Sequence, residues 1–462
     1  MWAAEPARAT SRPSAAELVA LFLLHEEPHR VDRASVERVL PPRALGLPDA
    51  LLRELAALEV VSLRWPKDAV ERLAARRSLP RGLARSLIEQ LGSSEADAAA
   101  AALNRPGPVT LRANLLAPSR DRGALLAALR REGVRCRAGT LSPWSVFVDA
   151  AEGRQTFGGS VWSLRAWKEG LCEVQDEGSQ CIALACEAAA GERVLDVCAG
   201  NGGKTLALAA QVGPSGEVVA SDVVDRRLAA LRASAARAHC AAWVETRLVC
   251  DAAARADGEG AMSERAMSEG AGSCEDRGEG EAIATLRQPS RRSGATSFDL
   301  ALVDAPCSSS GTLRRHPGLR WSGQWSETAQ GAVVDEQGQG RGARSTLASF
   351  DEPSPAAARE HQAVLGRRRL PALQRRLVAR AVALVRPGGR LVYATCALDP
   401  DENDAVADAI EADSSLGALL QPWPFDEGTA GRHERTGHEH RRTLWPHRHG
   451  TDGFFIARWR RL

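Results

Sequence analysis

Arg193-Val194-Leu195-Asp196-Val197-Cys198-Ala199-Gly200-Asn201-Gly202-Gly203-Lys204-Thr205 reads as a buried strand, a glycine-rich turn and the first residues of a helix. Glycines let a backbone approach a ligand closely, and the start of the next helix offers free N–H groups. The turn is not a phosphate loop of the Gly-x-x-x-x-Gly-Lys type, because Val197 stands where that loop needs its first glycine. Outward from it the same rhythm repeats. Lys204 to Val212 is helical, Glu217 to Asp222 is a second strand ending in an acid, Arg226 to Ala238 is a second helix, and Val244 to Val249 is a third strand closed by Asp251. Strand, helix, strand in this order predicts an α/β fold with a parallel, doubly wound sheet and right-handed crossovers. Asp222 is placed for a ribose hydroxyl pair and Asp251 for an adenine edge; the spacing fits either a dinucleotide or an adenosine-bearing methyl donor.

Two more strands follow, each ending at a cysteine. Phe298 to Val303 leads into Asp304-Ala305-Pro306-Cys307-Ser308, and Leu391-Val392-Tyr393 into Ala394-Thr395-Cys396. Ligands of open α/β sheets bind at the carboxyl ends of the strands, so both thiols are expected to face the cofactor crevice. Sulfur is the atom type for activating a pyrimidine. Carbon 5 of cytosine is a poor nucleophile until a thiolate adds at carbon 6; it then accepts a methyl group, after which its proton and the thiolate leave. Asp304, beside the crevice, is placed to hydrogen-bond the base edge at ring nitrogen 3.

Around this core the chain divides into a helical region (1–103), a small α+β unit (104–170) and the main domain (171–462). The helical region repeats Leu51, Leu52, Leu55, Leu58 and Leu83, Leu87, Leu91, and Asn104-Arg105-Pro106-Gly107-Pro108 breaks it. In the small unit Val109 to Leu115 and Ser145 to Asp149 read as strands around a helix from 120 to 131. Segments 252–297 and 322–358 are polar and glycine-rich, and are expected to be disordered insertions. The net charge of +2 excludes a global attraction to nucleic acid, so affinity must come from local patches. Ten cysteines without a CxxC pair argue for free thiols in a reducing, intracellular compartment and against zinc. Leu18 to Leu24 is too short to span a membrane. The N-terminal Arg8, Ser11 and Arg12, with Glu5 among them, leave organelle targeting open.

At these residues the chain resembles the RsmB-like family of S-adenosylmethionine-dependent RNA cytosine-5 methyltransferases. The motifs that carry the resemblance are Val174-Gln175-Asp176-Glu177-Gly178-Ser179-Gln180, the loop Cys198 to Thr205, Asp304 to Ser308, Arg314-Arg315-His316-Pro317 with Trp321, Tyr393 to Cys396, and Asp452-Gly453-Phe454-Phe455. The resemblance runs from about Ser78 to the C-terminus. It implies a Rossmann-like class I methyltransferase domain behind a small RNA-contacting domain, with rRNA or tRNA as substrate and a monomeric enzyme. It implies Cys396 as the attacking thiol and Cys307 as the one assisting release. Cys198, Ala199, Gly200, Asn201, Gly202, Gly203, Lys204, Asp222, Asp251 and Asp304 would surround S-adenosylmethionine. The family turn usually reads Cys-Ala-Ala-Pro-Gly-Gly-Lys, and Gly200-Asn201 replaces its Ala-Pro; a loosened but intact turn is expected. Ala397 replaces the usual serine after the Thr-Cys pair.

Arg314, Arg315 and His316, and the cluster Arg367, Arg368, Arg369, Arg375 and Arg376, are candidate contacts to RNA phosphates. His433, His438, His440, His447 and His449 lack cysteine or carboxylate ligands at regular spacing, so no metal is expected. Two alternatives stand beside this reading: a DNA cytosine-5 methyltransferase using Cys307, and a non-catalytic RNA-binding assembly factor with the same fold. A small-molecule or protein methyltransferase would need neither cysteine.

Overall fold

The structure, a computed structural model, describes residues 65–116, 121–151, 154–155, 160–249, 279–290, 292, 294–321, 355–426 and 438–462. Asp251, His433 and residues 1–64 lie outside the described residues, as do 252–278 and 322–354 of the two expected insertions. The chain forms two compact units, Met1–Ala84 and Arg85–Leu462. In the first, helix α1 (Ala69–Arg77) starts where the Asp68 carboxylate accepts a hydrogen bond from the Glu71 N–H and stops at Ser78 in the left-handed region. Helix α2 (Arg81–Asn104) is broken at Gly92.

Among the described residues the second unit holds three sheets, the smallest a two-stranded pairing of Ala150–Ala151 with Arg154–Gln155. In the four-stranded one, β1 (Val109–Ala113), β2 (Cys136–Ala138), β3 (Ser145–Val148) and β4 (Cys172–Val174) pair antiparallel in the order β2-β3-β1-β4. Helix α3 (Arg122–Arg131) covers it, seating Leu125 and Leu129 on Leu111, Val146 and Val148. The pairing of Leu111 with Val174 takes β4 into this sheet, beyond the boundary expected at residue 170.

The largest sheet contains β5 (Arg193–Asp196), β6 (Glu217–Asp222), β7 (Val244–Leu248), β8 (Phe298–Asp304), β9 (Val385–Thr395), β10 (Leu420–Pro422), β11 (Arg441–Leu444) and β12 (Phe454–Arg461). Its order is β10-β12-β9-β8-β5-β6-β7, with β11 also on β12. The five strands from β9 to β7 run parallel, and β12 lies antiparallel against β9. Strand order reverses between β5 and β8, the switch point where a crevice opens at the strand ends. Alternation along the strands sorts the core. Val194, Val218, Leu300, Leu302 and Val392 face helices α4 (Glu177–Ala185), α5 (Gly203–Val212) and α6 (Asp225–Arg237). Leu195, Val219, Ala301, Val303 and Tyr393 face α7 (Glu279–Leu286), α8 (Pro355–Leu384) and α9 (Asp404–Ala412).

Helix α7 corrects the expectation of disorder from 252 through 297. Ala282 and Leu286 are buried in the core, and the carbonyls of Thr285, Leu286 and Gln288 accept hydrogen bonds from the buried Arg247 guanidinium. Two apolar contacts and a set of charge-assisted hydrogen bonds offset the ordering entropy of so short a helix. The second expected insertion likewise ends early, since α8 begins at Pro355.

Candidate active site

The turn after β5 is held by two hydrogen bonds to neighbouring strands and one of its own. Val197 N–H donates to the Leu302 carbonyl at 2.9 Å, Ala199 N–H to the Ser221 carbonyl at 2.9 Å, and Gly202 N–H to the Ala199 carbonyl at 2.9 Å. Gly200 and Gly202 take φ of 54° and 91°, and a Cβ on Gly202 would come within 2.1 Å of Leu231. Glycine is therefore required at 202 for both conformation and space. Replacing Ala-Pro by Gly200-Asn201 leaves the turn closed. Helix α5 follows with Gly202 as N-cap and no side-chain cap, which leaves its first N–H groups without a capping side chain.

Carboxylates ring this helix start. Asp222, at the end of β6, accepts the Gly200 N–H at 2.9 Å on one oxygen and the Val224 N–H at 2.9 Å on the other. Asp196 is buried beneath the turn, with one oxygen accepting the Thr205 hydroxyl at 2.7 Å and the other without a partner. Burial outweighs the Thr205 hydrogen bond and raises its carboxyl to about 7. Cys198 is pushed well above the thiol range by burial and by Asp222, Asp196 and Asp304, so it stays neutral.

Across the crevice Lys204 Nζ donates to Asp304 Oδ2 at 2.5 Å. Burial opposes the ammonium charge, but Asp304 overcomes it and holds Lys204 above its ordinary value. Next to this pair the two sulfurs meet: Cys307 Sγ lies 3.3 Å from Cys396 Sγ. Their hydrogen bond is the largest influence on both. It pushes Cys307 well above the thiol range, assisted by burial and by the negative side of Cys396 and Glu402. It draws Cys396 down; burial and Asp304 resist, while a 3.5 Å contact to Ser309 Oγ and the charge of Lys204 assist. Geometry lets either sulfur donate; the directions of the two shifts favour a neutral Cys307 and an easier ionisation of Cys396.

Every expected site residue among those described lies around this crevice: Cys198 to Lys204, Asp222, Asp304, Cys307 and Cys396. Arg314 and Arg315 do not serve as expected. Arg314 is 5% exposed and reaches Asp176 at 3.2 Å and Asp452 at closer range. Arg315 reaches Asp452 at 2.6 Å and Asp176 at 2.7 Å, and the two acids hold it above its usual value although burial works against it. Arg314 is spent on buried ion pairs, which corrects its assignment to RNA phosphates, and Arg315, 29% exposed, is bound to the same two acids. In the other cluster Arg375 is exposed, while the side chains of Arg367 and Arg368 lie outside the described set. Among the described histidines, His440 meets Glu411 at 2.8 Å, His447 meets Glu95 at 2.9 Å, and His449 Nδ1 accepts the Trp445 N–H at 2.8 Å.

Sequence reasoning passed over Arg112 of β1. It is 3% exposed, hydrogen-bonds Gln175, and donates to the Gly203 carbonyl at 2.6 Å, tying the small sheet to the start of the cofactor helix. Its setting in Leu111-Arg112-Ala113-Asn114 looks like a strand with one solvated charge, and the distant carbonyl it serves leaves no local signal.

Comparison with known proteins places this geometry. A model of the family described as 16S rRNA methyltransferase RsmB/F matches residues 183–257, 282–337 and 357–460. A Mycobacterium tuberculosis (strain CDC 1551 / Oshkosh) protein named for methyltransferase activity is 30% identical over 403 residues, 86% of this chain; the chain spans 66% of that relative's length. Ribosomal RNA small subunit methyltransferase B of Pseudomonas syringae pv. tomato is 28% identical over 424 residues, 91% of this chain and 74% of the relative. The solved structure of a methyltransferase homologue from Pyrococcus horikoshii superposes with a TM-score of 0.56 at 22% identity, covering 86% of this chain and all of that one, and supports the same fold. S-adenosylmethionine is the cofactor, and the residues present fit it: an uncapped helix start, an acid closing β6, and a buried carboxylate oxygen on Asp196 still lacking a partner. With its matched segments spread over the parallel sheet and both strand-end cysteines, the chain belongs to the RsmB/F methyltransferase family.

Proposed function

We propose that this protein methylates carbon 5 of a cytosine in RNA, with rRNA or tRNA as the substrate class, through a covalent bond between Cys396 and carbon 6. The observation that carries the reading is the sulfur pair, 3.3 Å apart beside Lys204 and Asp304. Cys396 adds to carbon 6 as a thiolate, which moves electron density onto carbon 5. Lys204, held charged by Asp304, steadies the negative charge that develops on the ring. The turn Cys198 to Lys204, Asp222, Asp251 and Asp304 would hold the cofactor, which supplies the methyl group. Cys307 then gives its proton to the departing Cys396 sulfur and takes up the one leaving carbon 5. The adduct collapses, Cys396 leaves as a thiol, and its proton is lost to solvent to restore the thiolate.

The DNA-type alternative, in which Cys307 would be the nucleophile, gives no role to Cys396, whose sulfur stands 3.3 Å from Cys307 at the end of the neighbouring strand. The small sheet, residues 104–174, is the proposed RNA-contacting domain, and Arg112 joins it to the cofactor helix. A base stacked in folded RNA must be swung out to reach the sulfur. Among the described residues no helix is long and apolar enough to cross a membrane.

The test is transfer of labelled methyl groups to total RNA from cells lacking this protein, with nucleoside mass spectrometry of the product. The expected label is 5-methylcytidine, absent with Cys396→Ala. Label in another nucleoside, or in DNA alone, would overturn the reading.

A further inference from the structure

Two neighbouring side chains outside the crevice, Glu402 and Asn403, tie down the residues that flank the two thiols, Glu402 with Gln374 around Cys307 and Asn403 around Cys396. On the Cys307 side, Glu402 Oε2 accepts the Ser308 N–H at 2.9 Å and the Gln374 amide at 3.0 Å. The same Gln374 nitrogen donates to the Pro306 carbonyl at 2.9 Å. The residue before Cys307 and the residue after it are thus tied to one carboxylate–amide pair. On the Cys396 side, Asn403 Oδ1 accepts the Thr395 hydroxyl at 2.6 Å, and Asn403 Nδ2 donates to the Ala397 carbonyl at 3.0 Å. Again both flanking residues are held. Glu402, Gln374 and Asn403 are 1%, 0% and 3% exposed, so these bonds act where water does not compete. The Glu402 carbonyl is itself fixed by the Tyr393 hydroxyl at 2.6 Å, anchoring the brace to β9.

We infer that Glu402 and Asn403 are positioning residues that set the distance and the division of labour between the two thiols, Glu402 acting on Cys307 and Asn403 on Cys396. Neither touches the reacting atoms. A brace of this kind matters because two sulfurs must share one proton at a fixed separation, and a flanking peptide that drifts by a fraction of an ångström breaks that hydrogen bond. Charge adds to geometry on the first side. Cys307 faces Cys396, Glu402 and Tyr393, and the Glu402 carboxylate opposes ionisation of Cys307. Cys396 faces Cys307, Asp304 and Lys204, and no carboxylate of the brace. Roles in the reaction follow from the function proposed above, but the brace itself is testable without RNA.

The experiment is alkylation of the full chain with iodoacetamide from pH 6 to 10, with each cysteine followed by mass spectrometry. In the wild type Cys396 is expected to label first. Glu402→Gln keeps volume but removes the charge, and should speed labelling of Cys307 at pH 10 by about tenfold, one unit of lowered pKa. Asn403→Ala should slow Cys396 at pH 7 by about tenfold, one unit of raised pKa, while Cys307 keeps its profile. Should either variant fail to fold, Gln374→Met tests the Cys307 side and Thr395→Val, which is isosteric, the Cys396 side. Wild-type profiles for both thiols in folded variants, even with lowered melting temperatures, would reduce these residues to fold supports and overturn the inference. Absence of RNA methylation by the wild type would refute the proposed function but leave this labelling result standing.

Discussion

Replacing Arg314 by Met separates the two roles its sequence position suggests. In the structure its guanidinium is 5% exposed and faces Asp452 at 3% and Asp176 at 7%. Methionine keeps most of the stem but leaves two buried acids with Arg315 as the remaining cation of the quartet. Breaking a buried pair by removing one partner costs about 3–5 kcal/mol, and the surviving Arg315 contacts at 2.6 and 2.7 Å place this change near 3. With an m value of about 3 kcal/mol/M, the urea midpoint should fall by roughly 1 M. RNA binding measured against salt is the second arm. A phosphate contact contributes about 0.7 to the slope of log K against log salt for a single strand, and a buried arginine contributes nothing. The expected outcome is a lowered urea midpoint with an unchanged slope. A midpoint within about 0.2 M of wild type, together with a slope reduced by about 0.7, would refute the quartet and return Arg314 to the RNA surface.

Asp222→Ala should weaken S-adenosylmethionine binding by about 1–3 kcal/mol, since it removes the acceptor of the Gly200 N–H as well as the acid closing β6; unchanged affinity by calorimetry would withdraw Asp222 from the site. Deleting residues 262–278, which lack apolar periodicity, should leave the urea midpoint unchanged, whereas a cut extended to Gly294 removes buried Ala282 and Leu286 and should cost about 2–4 kcal/mol; equal midpoints would show that α7 contributes nothing. Burial acts to raise Glu411, yet hydrogen bonds from His440, Arg441 and Trp459 carry it down to about 2. Its folded value therefore lies below its unfolded value of 4.5, so the stability it contributes is complete above that pH and is lost as pH falls toward about 2. Melting temperatures of wild type and Glu411→Gln should differ by a constant amount from pH 7 to 5 and converge by about pH 2; a difference that persists there would contradict the assignment.

The elements that sequence reading placed well are those whose evidence is local. The run Arg193 to Thr205 carries its strand, turn and helix in consecutive residues, and β8 and β9 each announce their ends by an apolar stretch that stops at a cysteine. Strand-end placement then brought Cys307 and Cys396 together, 89 positions apart, without any contact information. What was missed depends on partners far along the chain. Arg314 and Arg315 look like a basic patch because Asp176, 138 and 139 positions away, leaves no trace beside them. Glu402 and Asn403 follow Asp399-Pro400-Asp401, which reads as a polar turn into a helix, so the burial that makes them a brace is hidden. Helix α7 sits in a Gly- and Glu-rich stretch whose few apolar residues show no period long enough to register, and it is ordered by Arg247, which reaches its carbonyls from β7.

The most direct test of the account is the trapping of protein on RNA by the two single-cysteine variants, read on denaturing gels. Cys307→Ala retains the attacking thiol but lacks the group that completes release, and is predicted to accumulate a covalent protein–RNA species that survives denaturation. Cys396→Ala is predicted to give no such species and no turnover. RNA carrying 5-fluorocytosine, which has no proton to lose from carbon 5, should trap the wild type in the same way. Adducts that vanish in Cys307→Ala and persist in Cys396→Ala would transfer the nucleophile to Cys307 and contradict the account.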